Sequence, residues 1–240
     1  MVHRQKNYGK GMQTWNNNLK IKNNIMVKLQ VAIDLLTTEE ALALAAKVAP
    51  YVDIIELGTP LIKNMGSAVI TAMKQAHPDK LVFADLKTAD AGELEADIAF
   101  KAGADLVTVM STVGNATIIG AVKAAKAHGK GIVVDTIGNP DRVKRAQEVI
   151  GLGVEFVELH AGLDEQWAPG YSIQVLIDET ARVGIPVSVA GGVNINNIAA
   201  VVKAGAKVVV AGAAIYGAKD PAEAAKALRA AMSLQSVIAV

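Results

Sequence analysis

From Met26 onward, short β-branched runs alternate with alanine-rich stretches, and this alternation restricts the possible folds more than any other feature of the chain. It predicts strands over residues 29–33, 53–57, 81–84, 106–110, 131–134, 156–159, 187–190 and 208–211. Each run is too short and too apolar for a strand with one face in water, so burial on both faces is expected. Residues 39–48, 68–76, 93–101 and 222–231 are rich in good helix formers, with apolar side chains at i, i+3 and i+4, and read as covering helices. A weak repeat supports the pattern. Lys101-Ala-Gly-Ala-Asp-Leu-Val, Gly151-Leu-Gly-Val-Glu-Phe-Val and Lys203-Ala-Gly-Ala-Lys-Val-Val each end a helix on a glycine cap and open a strand. Their glycines, 103, 153 and 205, stand 50 and 52 residues apart, two strand–helix units each time. Eight such units in series predict one domain over residues 26–240, a closed (β/α)₈ barrel, where fewer would favour an open doubly wound sheet.

Composition agrees and removes several classes of function. Hydrophobic residues make up 52% of the 240 residues and aromatics only 4%, which suits parallel strands under small-residue helices. With 24 basic and 23 acidic side chains the net charge is +1, without the basic excess that phosphate neutralisation requires, so no nucleic-acid partner is expected. The absence of cysteine removes disulfides, thiolate metal sites and thiol nucleophiles. No apolar run reaches the roughly 18 residues that span a bilayer, so the expectation is a soluble cytoplasmic protein with no membrane partner. Residues 1–25 are polar, asparagine-rich and without periodicity, and they lack the apolar stretch of a secretory signal. They read as an N-terminal extension, native or vector-derived, with no catalytic part.

Barrel active sites are built where strands end, so the residue terminating each strand is the informative one. These are Asp34, Glu56, Asp85 with Lys87, Ser111, Asp135, His160, Gly191-Gly192 and Gly212, whereas the opposite end offers mainly Gly, Ala and Pro. Asp34 and Asp135 are equally readable as helix N-caps. Glu56 is a poor cap and precedes a Gly-Thr-Pro loop. His160 alone would pass for a satisfied core histidine; at a strand end facing the same mouth it becomes a candidate. In Asp85-Leu86-Lys87-Thr88-Ala89-Asp90, residues 85 and 87 project to one side of an extended segment, where neighbouring carboxylates keep the ammonium charged. A surface salt bridge is the alternative, disfavoured by the apolar strand that precedes the cluster. Gly191-Gly192 and Gly212-Ala213 follow strands seven and eight, where bare backbone N–H groups commonly hold phosphate.

The segments Leu29-Gln-Val-Ala-Ile-Asp34, Ile55-Glu-Leu-Gly-Thr-Pro60, Phe83-Ala-Asp-Leu-Lys-Thr-Ala-Asp-Ala-Gly92, His160-Ala-Gly-Leu-Asp-Glu-Gln166, Val189-Ala-Gly-Gly-Val193 and Ala211-Gly-Ala-Ala-Ile-Tyr-Gly217 resemble the 3-hexulose-6-phosphate synthase family. That family lies within the orotidine 5′-phosphate decarboxylase suprafamily, and its Asp-x-Lys-x-x-Asp motif is shared with the 3-keto-L-gulonate-6-phosphate decarboxylases. The resemblance implies that Glu56 and Asp85 ligate Mg²⁺, with Mn²⁺ as an alternative, and that Asp34, Lys87 and Asp90 contact the substrate. It also implies a homodimer with shared active sites, Asp90 reaching in from the partner. The implied reaction adds formaldehyde to D-ribulose 5-phosphate through an enediolate, the formaldehyde-fixing step of the ribulose monophosphate pathway. Removing a proton beside a ketone needs a base near pH 7, for which His160 is suited. One departure separates the two phosphosugar activities. The decarboxylases carry arginine three residues past the matching histidine, where this chain has Leu163, so no proton donor competes with the aldehyde. The decarboxylase is the alternative reading, and an inactive barrel retained as a sugar-phosphate-binding protein the remoter one.

Overall fold

A computed structural model describes residues 26–233; the expected N-terminal extension, 1–25, lies outside the described residues. Among them, eight strands are all parallel and close into a barrel in chain order: β1 Lys28–Ile33, β2 Ile54–Leu57, β3 Leu81–Thr88, β4 Leu106–Met110, β5 Gly131–Asp135, β6 Phe156–His160, β7 Val187–Ala190 and β8 Val208–Ala211. Pairing of β8 with β1, from Lys28 opposite Val208 to Val31 opposite Ala211, completes the ring. The helices are α1 Thr38–Val48, α2 Thr59–Met65, α3 Ala68–Ala76, α4 Gly92–Lys101, α5 Asn115–His128, α6 Arg142–Val149, α7 Leu163–Gln166, α8 Gln174–Val183, α9 Ile198–Lys203, α10 Ala213–Tyr216 and α11 Pro221–Ser233. None is long and apolar enough to cross a membrane.

Seven predicted strands agree to within one residue at each end; the exception is β3, which continues to Thr88 instead of ending at Ala84. Its pairing with β4 slips: Ala84 faces Val107, but Thr88 faces Val109. Four residues of β3 therefore span two of β4, and Lys87 takes a positive φ of 48° inside the irregularity. Lys87 N–H donates to Thr108 Oγ1 (2.8 Å), which holds the bulge in place. Bulges re-aim side chains beside active sites, and this one sits at the Asp85–Lys87 motif.

Two apolar layers follow from the period-two alternation of the strands. Outward-facing side chains such as Val31, Val107, Val134 and Val157 meet the helices, while Ile54, Phe83, Leu106, Val133, Phe156 and Val208 fill the barrel interior. Truncating Phe83 or Phe156 to alanine removes a fully buried ring, at a cost of roughly 3–5 kcal/mol. Two residues nearer the mouth the interior turns polar: Glu56 follows Ile54, Asp85 follows Phe83, Thr108 follows Leu106, Asp135 follows Val133 and Glu158 follows Phe156, all buried. The opposite end is more charged than expected. Asp105 accepts from Lys74 Nζ (2.9 Å) and Lys130 Nζ (2.5 Å), and Asp53 pairs with Arg229 of α11. These ion pairs tie α3 and α11 to strand starts, and the start of β5 to the start of β4.

Candidate active site

Adjacent interior strands place the charged side chains within one hydrogen-bonded chain across the barrel mouth. Asp85 accepts from Thr59 Oγ1 (2.7 Å) at the start of α2 and from Thr108 Oγ1 (2.8 Å) on β4. Lys87 Nζ donates to Asp85 Oδ2 at 2.9 Å and to Asp135 Oδ2 at 2.8 Å. Asp135 then meets His160 Nδ1 at 2.9 Å. The order is Asp85, Lys87, Asp135, His160, drawn from β3, β5 and β6. Lys87 reaches Asp85 as the sequence predicts, although through a bulge and not a regular extended strand.

Asp135 is no N-cap: Asp141 caps α6, accepting from Lys144 N–H at 3.1 Å. Its own oxygens serve Lys87, His160 and the N–H of Ile137 (2.8 Å). The residue closes β5 because the charge pair across the mouth needs it there. Asp34 is no cap either, since Thr37 caps α1 through Glu40 N–H (3.2 Å). The Asp34 carboxylate lies against Gly58, where an added Cβ would come within 2.1 Å of Oδ1, so that glycine makes room for it. Glu56 is buried on β2 and accepts from Gln30 Nε2 at 2.6 Å, leaving Gln30 Oε1 without a partner. Asp90 stays apart: it is exposed and accepts from the N–H of Ala91 (2.7 Å).

Sequence reasoning missed Glu158. It lies one pleat below His160, fully inside the barrel, accepts from Ser188 Oγ at 2.9 Å and sits 3.6 Å from His160 Nδ1. A glutamate within a strand has no cap or loop signature; only its two-residue spacing from His160 could have pointed to it.

The electrostatics follow from burial and pairing. Burial alone would push the Lys87 ammonium down, but Asp135 and Asp85 outweigh it and hold the side chain firmly charged. Burial would raise Asp135, yet His160 and Lys87 keep it far below the usual carboxylate range. His160 would fall on burial; Asp135, with help from Glu158, lifts it to about 8. Glu158 is raised to about 7 by burial and by the neighbouring Asp135 charge. Glu56 is pushed well up by burial, then by the Asp85 and Glu158 charges, and Asp34 is raised by burial and Asp85. Glu56 therefore lies among other carboxylates, whereas Asp85 and Asp135 share the Lys87 ammonium.

Two oxygen-rich groupings could hold a metal. Asp135, Glu158 and His160 bring ligand atoms within 4.8 Å of one another, but Asp135 is committed to two cationic side chains. Glu56 and Asp85 offer hard carboxylate oxygens whose mutual repulsion a divalent cation would relieve, although Asp85 also accepts from Lys87.

At the other side of the mouth, Gly191 and Gly192 follow β7 with φ of 124° and 80°, which side chains larger than hydrogen rarely adopt. A Cβ on Gly191 would also lie 2.6 Å from Ala161 O. Gly212 and Ala213 open the short α10 beside them, after β8.

The family described as orotidine 5′-phosphate decarboxylase / HUMPS matches residues 27–228. The chain belongs to that family. A 3-hexulose-6-phosphate synthase from Mycobacterium gastri is 67% identical over 207 residues, 86% of this chain and 100% of that protein. A crystal structure of 3-hexulose-6-phosphate synthase, also 67% identical, superposes with a TM-score of 0.85 over 86% of this chain and 100% of the other. A crystal structure of 3-keto-L-gulonate-6-phosphate decarboxylase from Vibrio cholerae is 30% identical, with a TM-score of 0.76 over 87% and 98% of the two chains. The family's (β/α)₈ architecture is the one the alternation of strands and helices predicts.

Proposed function

We propose that this enzyme condenses formaldehyde with D-ribulose 5-phosphate to give D-arabino-3-hexulose 6-phosphate, the activity for which its 67%-identical relative is named. The observation that carries the chemistry is the Asp135–His160 pair standing beside Lys87, with the Gly191-Gly192 loop on the neighbouring strand next to His160. Asp135 engages Nδ1 of His160, so the other ring nitrogen, Nε2, takes the proton from the carbon next to the ketone. Lys87, held positive by its two carboxylates, stabilises the negative charge that develops on the enediolate. Glu56 and Asp85 would hold the divalent cation, which adds positive charge for the same oxygens. The enediolate carbon bonds to the formaldehyde carbon, and the proton held by His160 goes to the former aldehyde oxygen. The condensation is thus balanced without any other reactant. The loops at Gly191-Gly192 and Gly212-Ala213 receive the phosphate through backbone N–H groups.

A cytoplasmic homodimer completes the proposal. Asp90 opens a groove between α4 and α5 lined also by Gly92, Leu94, Thr117 and Gly120. Leu94, Ile98 and Ile119 nearby are 62%, 50% and 51% exposed, an apolar surface suited to a second copy. Asp90, outside its own site, would enter the partner's.

The test is formaldehyde consumption with D-ribulose 5-phosphate, run with and without EDTA, beside release of CO₂ from 3-keto-L-gulonate 6-phosphate. Formaldehyde fixation well above CO₂ release supports the reading; the reverse order of activities refutes it.

A further inference from the structure

We infer that Tyr171 is a positioning residue that aims the backbone of the phosphate loop, a role resting on the reading of Gly191-Gly192 as the phosphate holder. Tyr171 lies in the segment joining α7 to α8, and its ring packs against the main core while its hydroxyl donates to Gly191 O at 2.8 Å. A peptide unit is planar and trans, so its C=O and the N–H of the next residue point in opposite directions. Fixing Gly191 O therefore fixes Gly192 N–H, which must point away from Tyr171. The next peptide is fixed in the same way. Gly192 O accepts from Asn194 Nδ2 (3.1 Å) and Asn197 Nδ2 (3.0 Å), which sets the direction of Val193 N–H.

This control is needed because of what the glycines give up. Two consecutive residues at φ of 124° and 80° have wide freedom in the absence of a restraint, and each N–H would sample several directions before an anion arrived. Side chains that hold the carbonyl oxygens remove that freedom in advance, which is how preorganisation strengthens binding. Tyr171 also ties the loop to the base. The chain runs from His160 through α7 to Tyr171, Gln166 Nε2 of α7 donates to Ala161 O (2.8 Å), and Ala161 N–H donates to Ala190 O (3.0 Å), immediately before Gly191. Arg142 of α6 anchors the helices on either side of the Tyr171 segment by pairing with Glu165 of α7 (3.0 Å) and with Glu179 of α8 (2.8 Å). The phosphate loop and the end of β6 therefore form one braced unit, with Tyr171 as the brace that touches the anion loop itself.

The experiment is Tyr171→Phe in the full-length, metal-loaded enzyme, with Asn197→Ala as a second variant. Each is measured for kcat, for KM toward D-ribulose 5-phosphate, for the Kd of inorganic phosphate by calorimetry, and for Tm. Loss of the hydroxyl should raise KM and the phosphate Kd together by about fivefold, the equivalent of one ordinary hydrogen bond. The kcat, its pH profile and Tm should hold near the parent values, since the ring remains and His160 is untouched. Unchanged KM and phosphate Kd in Tyr171→Phe overturn the inference. So does a parallel fall in kcat and Tm with phosphate affinity kept, which would assign Tyr171 to the scaffold alone. The reaction itself is judged separately on the parent enzyme: no formaldehyde fixation there, with phosphate binding still sensitive to Tyr171→Phe, would reject the synthase reading and leave the brace standing.

Discussion

Asp135→Asn is the most informative single change, because one carboxylate serves both the base and the ammonium. In the parent protein Asp135 is the main reason that His160 rises from the ordinary 6.5 to about 8 against the opposing effect of burial. An amide keeps the size and loses the charge. What then acts on His160 is burial and Lys87, both lowering, against the weaker pull of Glu158 at 3.6 Å. The imidazole should fall to 6.5 or below, a change of at least about 1.5 pH units, or ~2 kcal/mol. The base must be neutral to act, so kcat/KM of the parent should climb with pH and level off above about 8. In the variant that limb should move down to 6.5 or lower. The sign for stability runs with the raised value: the imidazolium–Asp135 attraction contributes fully below about 6.5 and is lost as pH rises through about 8, worth ~2 kcal/mol in all. The variant should lack that pH dependence. It also leaves a buried ammonium short of a partner, at roughly 3–5 kcal/mol, for a melting temperature lower by on the order of 10 °C. Rates measured from pH 5.5 to 9, beside thermal melts over the same range, decide it. An acid limb that stays near 8 in Asp135→Asn would show that His160 is not the titrating base.

Exhaustive chelation should abolish activity and added Mg²⁺ or Mn²⁺ restore it, while Glu56→Gln should raise the metal concentration required with Tm almost unchanged; full activity after chelation refutes the metal site. Leu163 is 51% exposed at the start of α7, so Leu163→Arg should fold normally, slow formaldehyde addition and increase CO₂ release from 3-keto-L-gulonate 6-phosphate. An unchanged ratio of the two activities in the folded variant rejects that role for position 163. Deleting residues 1–25, which carry no apolar periodicity, should leave rate and melting temperature within error; a drop of several degrees would show that the segment docks on the barrel.

Much of this enzyme is determined by local pattern. Strand and helix positions, the closure into eight units, and the order of strand-end residues follow from burial periodicity and glycine caps, signals that reside within ten or fifteen residues of chain. So the positions of Asp34, Glu56, Asp85, Lys87, His160 and the paired glycines could be named from sequence. Their partners could not. Asp135 read equally well as a cap, because an Asp after a strand looks the same whether it meets its own helix or a lysine 48 residues away. Glu158 and Ser188 sit inside strands, where the pattern assigns only a facing direction, and whether that direction meets packing or a charge depends on barrel tilt and register. The β3 bulge is likewise absent from the local signal, since Ala84 to Thr88 reads as a strand end until β4 supplies Thr108 to hold the extra residues. Sequence thus determined which chemical groups reach the mouth, through short-range periodicity. Closure of the barrel decided which of them touch, because those contacts join strands far apart along the chain and their energies exist only once both are buried together.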